Sequence, residues 1–297
     1  MQKIVPNLWF DHTAAEAAAF YTDAFPNARV TDTQYYPSEG LAAFQADFAG
    51  KELTVTFEID GYSFVAINAG PEFTVNPSIS FMLNFDSSRD PDAREHLDQL
   101  WARLADGGQV MMPLDSYDHS PHYGWVQDRY GVSWQLMLTN PDGEPRPFII
   151  PTMLFCGPAQ NRAAEAASFY TALFPGSRIG MDVRYPTDAG PATAGSVMFT
   201  DFEIFGQWFA AMDASREQDY TFNCGVSLMV SCDDQVELDR YWEALSSVPE
   251  AEQCGWCADR FGLSWQLVPA NLDELMAKPG AYEKLMGMKK IEVAAFG

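Results

Sequence analysis

The segment Asp115–Trp125, DSYDHSPHYGW, gathers two of the chain's four histidines, His119 and His122, beside Asp115 and Asp118. Two imidazoles three residues apart could hold a divalent metal, or one could act as a general base near neutral pH. The spacing alone fixes no geometry on a loop, and a solvated or capping loop is the plainer reading. A second candidate is Cys254-Gly-Trp-Cys257. Redox motifs of this form sit at a helix N-terminus, which lowers the thiol pKa. Here the motif lies just before or within a strand, where positions i and i+3 point to opposite faces, so two buried small side chains are expected. A third candidate is Gln135 in the run Ser133–Leu138. Alternation puts Ser133, Gln135 and Met137 on one face and Trp134, Leu136 and Leu138 on the other. Gln135 could hydrogen-bond a ligand, or merely satisfy a neighbouring group. The nearby Asp128-Arg129 and Asp259-Arg260 read as tight turns with an ion pair.

The elements that must position these residues occur twice. Glu16–Arg29 matches Glu165–Arg178 at nine of 14 positions, and Gly124–Leu136 matches Gly255–Leu267 at nine of 13. Between them FEIDG at Phe57–Gly61 pairs with FEIFG at Phe202–Gly206, in the same order. The chain is therefore an internal duplication. The linker Thr139–Pro147, TNPDGEPRP, is loop chemistry, so the two domains are placed at 1–140 and 148–297.

Four segments carry an apolar face at helical spacing: Ala17/Phe20/Tyr21/Ala24, Leu97/Leu100/Trp101/Leu104, Ala166/Phe169/Tyr170/Leu173 and Leu238/Tyr241/Trp242/Leu245. Strand-like runs lie between them: Ile4–Phe10, Arg29–Tyr35, Leu53–Ile59, Ser63–Asn68, Ser78–Phe85, Trp125–Asp128 and Ser133–Leu138. The order is β-α-β-β-β, twice per half. That predicts an α+β fold of antiparallel or mixed sheets with helices outside.

At 297 residues with a net charge of −23, the chain should repel phosphate backbones and anionic bilayers, so neither nucleic acid nor membrane is an expected partner. The N-terminus lacks a signal-peptide core, and no apolar run approaches the roughly 20 residues of a membrane span. A cytoplasmic location is expected. The five cysteines all fall in the second half, which excludes a disulfide scheme shared by both copies.

The opening PxLWF…EAAxFYxxxFP, the middle FEI-x-G, the terminal GW-x-x-DR[YF]G-x-SWQ and the tail MxxMKKIE together resemble the PhnB-like family. Its members often carry the label 3-demethylubiquinone-9 3-methyltransferase domain. The family is part of the vicinal oxygen chelate superfamily, with glyoxalases, bleomycin-resistance proteins and extradiol dioxygenases. The resemblance covers nearly the whole chain. It implies two tandem glyoxalase-like domains, each of paired βαβββ modules whose curled sheets form a cup.

Metal-dependent members place ligands on the first strand, on the first strand of the second module, and as a Glu on the last strand. Carried over, these fall near Pro6 and Pro151, near Ser78 and Gly225, and on Gln135 and Gln266, with Asn7 and Cys224 one residue away. Proline has no ligating side chain and glutamine no charge. The expectation is a small-molecule binding protein without a cofactor, its cup lined by Trp9, Asn68, His119, His122, Tyr123, Trp125 and Gln135, with Trp256 and Gln266 in the second copy. The alternatives are a divergent lyase, isomerase or dioxygenase holding one divalent metal through His119 or His122, and a structural or regulatory dimer. Superfamily habit suggests a homodimer in any case. Methyl transfer finds no support, because no glycine-rich turn between strand and helix is present. Because only copy one carries the histidine segment, a single working cup should belong to copy one.

Overall fold

The computed structural model describes residues 2–41 and 43–297, without the side chains of residues 43 and 44. Its elements form four modules. The first is β1 (Ile4–Phe10), α1 (Ala14–Ala24), β2 (Ala28–Tyr35), β3 (Glu52–Ile59) and β4 (Tyr62–Asn68). The second is β5 (Ile79–Phe85), α2 (Ala93–Ala105), β6 (Gln109–Tyr117), β7 (Ser120–Gln127) and β8 (Ser133–Leu138). The third is β9 (Ile149–Phe155), α3 (Ala163–Leu173), β10 (Arg178–Arg184), β11 (Val197–Ile204) and β12 (Gln207–Asp213). The fourth is one strand short: β13 (Val226–Cys232), α4 (Gln235–Leu245), β14 (Trp256–Ala258) and β15 (Ser264–Pro269). Two short helices follow, α5 (Leu272–Met276) and α6 (Ala281–Met286). No helix among the described residues is long and apolar enough to cross a membrane.

The sheets do not follow the sequence halves. One has seven strands in the order β14-β15-β13-β1-β4-β3-β2, and the other has eight, β10-β11-β12-β9-β5-β8-β7-β6. Each combines one module from each copy. The joins are antiparallel, with Asn7 opposite Ser227 in the first and Ser80 opposite Thr152 in the second. The expectation that each half closes its own cup is corrected here: the repeat is sequential, but the cups are built across it.

Local chemistry explains the elements. The first free N–H of α1, at Ala14, donates to Asn68 Oδ1 on β4 at 2.9 Å. That of α3, at Ala163, donates to Asp213 Oδ1 on β12 at 3.1 Å. A strand side chain thus caps each helix in place of a local N-cap. Hairpins β3–β4 and β11–β12 turn on Asp60-Gly61 and Phe205-Gly206, all at positive φ, the combination that matches strand twist in two-residue turns.

The main core lies between the sheets and helices, where Tyr21, Phe57, Phe64, Phe81 and Trp134 are fully buried, as are Tyr170, Phe202, Phe209 and Trp265 in copy two. At its centre is Asp128, which accepts from Tyr21 Oη (2.9 Å), Trp134 Nε1 (2.8 Å), Tyr130 N (2.8 Å) and Val132 N (3.1 Å). Asp259 repeats this with Tyr170 Oη, Trp265 Nε1, Phe261 N and Leu263 N. The expected ion pair inside the Asp-Arg turn is therefore corrected. Arg129 reaches out to Asp106, and Arg260 to Glu165, while the aspartates turn inward to tie helix, turn and strand together.

Candidate functional site

Period-two alternation gives each sheet a helix-facing side and a cup-facing side. In the eight-stranded sheet, Met82, Ile150 and Ala210 form a cluster separate from the main core, with Met137 and Trp208 against it. A second cluster joins Leu154 and Cys156 to Trp125 and Met212. Both mark the cup side, and Gln135 lies between Ser133 and Met137 on that side.

The polar groups of this cup pair with one another. Tyr123 Oη donates to Gln135 Oε1 at 2.7 Å, and Gln135 Nε2 donates to Ser80 Oγ at 2.8 Å. Trp125 Nε1 donates to Ser133 Oγ at 2.6 Å. Thr152 Oγ1 donates to the Ile150 carbonyl at 3.2 Å. Burial pushes the Tyr123 phenol well above its usual range, so it remains a donor at neutral pH.

The seven-stranded cup repeats the frame residue for residue. Trp256 opposes Gln266 as Trp125 opposes Gln135. Ser227 sits beside Ser264 as Ser80 sits beside Ser133. Asn7 opposes Ser227 where Thr152 opposes Ser80. Gln266 Nε2 donates to Ser227 Oγ at 2.7 Å. Cys254 holds the place of Tyr123, two residues before the tryptophan.

The other candidates are distributed more widely. Trp9 faces the seven-stranded cup, with Nε1 donating to the Gly70 carbonyl at 2.7 Å and its ring edge-on to Phe73. Asn68 is not lining. Its carboxamide caps α1 and donates to the Glu52 carbonyl at 3.0 Å. The histidine segment is a β-hairpin rather than a loop, because β6 and β7 pair through to Tyr117 and Ser120. That pairing sends His119 and His122 apart. His119 is exposed against Tyr117 and Tyr123, and partial burial lowers its pKa. His122 is buried against α2, with Nε2 2.6 Å from Asp98 Oδ1 and Nδ1 3.3 Å from Arg94 Nη2. His122 thus faces the helix rather than the cup, while His119 stays at the hairpin end against Tyr123. Cys254 and Cys257 are buried free thiols, and burial pushes Cys257 up to about 12, the opposite of a redox cysteine.

Strand register brings three polar side chains together on each cup face. They are Thr152, Ser80 and Gln135 in one cup, and Asn7, Ser227 and Gln266 in the other. All six side chains are neutral amides or hydroxyls. Pro6, Pro151, Ser78 and Gly225, where the resemblance carries the other ligands, offer no imidazole or carboxylate either. Transition metals such as zinc are held by thiolate, imidazole or carboxylate donors, so this set does not fit one. Among the described residues no group of three His, Cys, Asp or Glu side chains is placed to hold a metal. The sequence reading missed Ser80, Thr152 and Ser227, since isolated serines and threonines in apolar strands carry no signal until register pairs them with glutamine.

The two halves of this frame are matched separately by one family model, described as 3-demethylubiquinone-9 3-methyltransferase, over residues 2–137 and 147–268. The chain belongs to that family. The family's domain occurs in it twice, in tandem. Among solved structures it is similar to the PhnB protein of Bacillus cereus, at 33% identity over 46% of this chain and 100% of that one, with a TM-score of 0.40. A Pseudomonas aeruginosa protein matches at 23% identity over 47% of this chain and 98% of that one, TM-score 0.39. Glyoxalase I of Zea mays matches 92% of this chain and 94% of its own at 11% identity and a TM-score of 0.54, which establishes a shared tandem fold. No curated protein matches the chain. The family match ends at residue 268, so α5, α6 and the remaining tail lie outside it.

Proposed function

We propose that this family member binds a small molecule in a cup by hydrogen bonding and apolar contact, without a metal. The observation that carries the reading is the set of neutral polar side chains, glutamine and serine with threonine or asparagine, that the register repeats in both cups. The glutamines are held to Ser80 and Ser227 at 2.8 and 2.7 Å. Such neutral, oriented groups beside methionine and tryptophan are the usual lining of a small-molecule site. The geometry offers no general acid or base at the cup floor, which favours binding over catalysis. Methyl transfer gains nothing from the fold, in which no strand–glycine turn–helix unit for a nucleotide-like cofactor occurs among the described residues.

Two measurements test the reading on the full chain. Elemental analysis after incubation with Zn, Mn, Fe and Ni and buffer exchange should return far less than one ion per chain. Saturation-transfer NMR against a diverse set of uncharged fragments should find binders at millimolar concentration or tighter. One retained transition metal per chain, or a fragment set in which nothing binds, would overturn it.

A further inference from the structure

We propose that the seven-stranded cup is the one that takes ligand, and that it suits a small uncharged molecule with adjacent hydrogen-bond donor and acceptor, such as a lactam. The inference rests on the binding reading above and names its site and ligand class.

The contrast between two cups built on one frame carries it. In the eight-stranded cup each tryptophan, glutamine and serine of the frame already has a partner, and the unpaired buried group there, Tyr220 Oη, lies outside the frame beside Trp125. In the seven-stranded cup the same positions are left open. Trp256 Nε1 is buried and has no hydrogen-bond partner. Asn7 is 4% exposed, and its carboxamide has no partner among the described residues. Gln266, 3% exposed, has one end on Ser227 Oγ, and its other end finds no partner among the described residues.

Two substitutions between the copies explain the difference. Cys254, the repeat's counterpart of Tyr123, lies in a turn with its thiol on the tail and leaves the glutamine carbonyl open. Cys224 draws the Ser264 hydroxyl to its sulfur at 3.6 Å, away from the tryptophan N–H that Ser133 satisfies in the other cup. Of these atoms Trp256 Nε1 is the one shut off from solvent; a buried donor is rarely left unpaired, so it marks a place for a guest or for ordered water beside the unpartnered amides.

The open groups define the guest. Trp256 opposes Gln266, Gln266 is held by Ser227, and Ser227 opposes Asn7, so they form one continuous run across four strands. An indole donor, a glutamine acceptor and an asparagine amide suit a molecule that accepts and donates side by side. None is charged, and an ion buried there would lack a counter-charge.

The tail encloses this cup and not the other. The fourth module lacks its outer strand, and the tail takes that place: Cys254 N donates to Met288 O at 2.8 Å and Gly255 N to Lys289 O at 2.7 Å. On the opposite edge, Gln34 Nε2 on β2 donates to Asp273 Oδ1 at 2.8 Å, and Tyr282 packs against Tyr36. The segment therefore spans from one edge strand of this sheet to the other.

The test is a titration of ¹⁵N-labelled full-length protein with 2-pyridone, with 2-methoxypyridine and benzoate as controls. The indole signal of Trp256 and the carboxamide signals of Asn7 and Gln266 should shift and saturate with 2-pyridone. 2-Methoxypyridine, which lacks the N–H, and anionic benzoate should move them far less. Trp256→Phe, which keeps a ring and removes the donor, should weaken 2-pyridone about tenfold, with the remaining indole signals reporting that the variant is folded. Saturating shifts at Trp125 and Gln135 instead would overturn the choice of cup while leaving the binding reading intact. Equal binding of benzoate, or no saturation in either cup while other fragments bind, would overturn the ligand class. If fragments of every kind fail, the binding reading itself falls.

Discussion

Tyr123 and Cys254 match in the sequence repeat, two residues before Trp125 and Trp256, and only the tyrosine closes a glutamine, with Oη 2.7 Å from Gln135 Oε1. Removing that hydroxyl should leave a buried carbonyl without its donor. Tyr123→Phe is expected to cost about 1–3 kcal/mol of stability, read as a lower urea midpoint at unchanged slope. An unchanged midpoint would mean that water or the Tyr117 side takes over the carbonyl, and that the eight-stranded cup is as open as its twin.

Asp128 supplies a second prediction, because burial and hydrogen bonding oppose each other there. Four donors favour the carboxylate, but burial is the larger effect and pushes its pKa up to about 6. The folded value then lies above the ordinary 3.8 of the unfolded chain. Between these values the folded state holds the extra proton, so this site's contribution is fully present below about pH 4 and is lost as pH rises through 6. The shift corresponds to something on the order of 3 kcal/mol. Carbon-detected NMR should show the Asp128 carboxyl titrating near pH 6, and the stability of wild type relative to Asp128→Asn should fall from pH 5 to pH 7. A midpoint below 4 with the opposite slope would show that the four donors win.

How far the sequence reached can be argued from these same residues. The repeat, the four helices and most strands were legible because apolar periodicity is a local signal, and the separation of Gln135 from Trp134 onto opposite faces followed from alternation alone. The pairing of modules across copies was not legible. Nothing in the linker says whether β5 will meet β9 or stay within its own half, since either arrangement buries the same faces. The inward turn of Asp128 and Asp259 was hidden too, because an adjacent arginine in sequence is a more obvious partner than a tyrosine some hundred residues away. His119 and His122 looked like a pair only while their segment was read as a loop. Once β6 and β7 pair, one ring is left at the hairpin end and the other is sent to α2. The tail's role depended on a strand missing from the fourth module, which a faint repeat does not reveal.

The tail gives a third prediction. Cys254 Sγ lies 3.4 Å from the Leu285 carbonyl and 3.8 Å from Met286 Sδ, and burial raises its pKa. Loosening α6 should expose it. Tyr282→Ala is expected to speed alkylation of Cys254 by iodoacetamide several-fold, followed by peptide mass spectrometry. Cys257, fully buried on the other side of the same strand region, should stay as slow as in wild type. Equal acceleration at both thiols would indicate general unfolding, and no acceleration at Cys254 would show that the tail does not hold that edge through Tyr282.

His122 completes the set, because its surroundings separate a structural role from a metal-binding one. Its ring is buried between Asp98 and Arg94 of α2, with Nε2 2.6 Å from the carboxylate, while His119 lies at the hairpin end against Tyr117 and Tyr123. A ring so placed pins hairpin β6–β7 to the helix and cannot converge with its neighbour on one ion. His122→Ala is therefore expected to lower stability by about 1–2 kcal/mol through a lost charge-assisted contact and its packing. His119→Ala, at an exposed turn, should change it by less than about 0.5 kcal/mol. Zinc titrations followed by calorimetry should show no difference among wild type and the two variants. A saturable site near one equivalent that disappears in both variants would require the hairpin to rearrange around the ion, and would make this segment the functional centre in place of the cups.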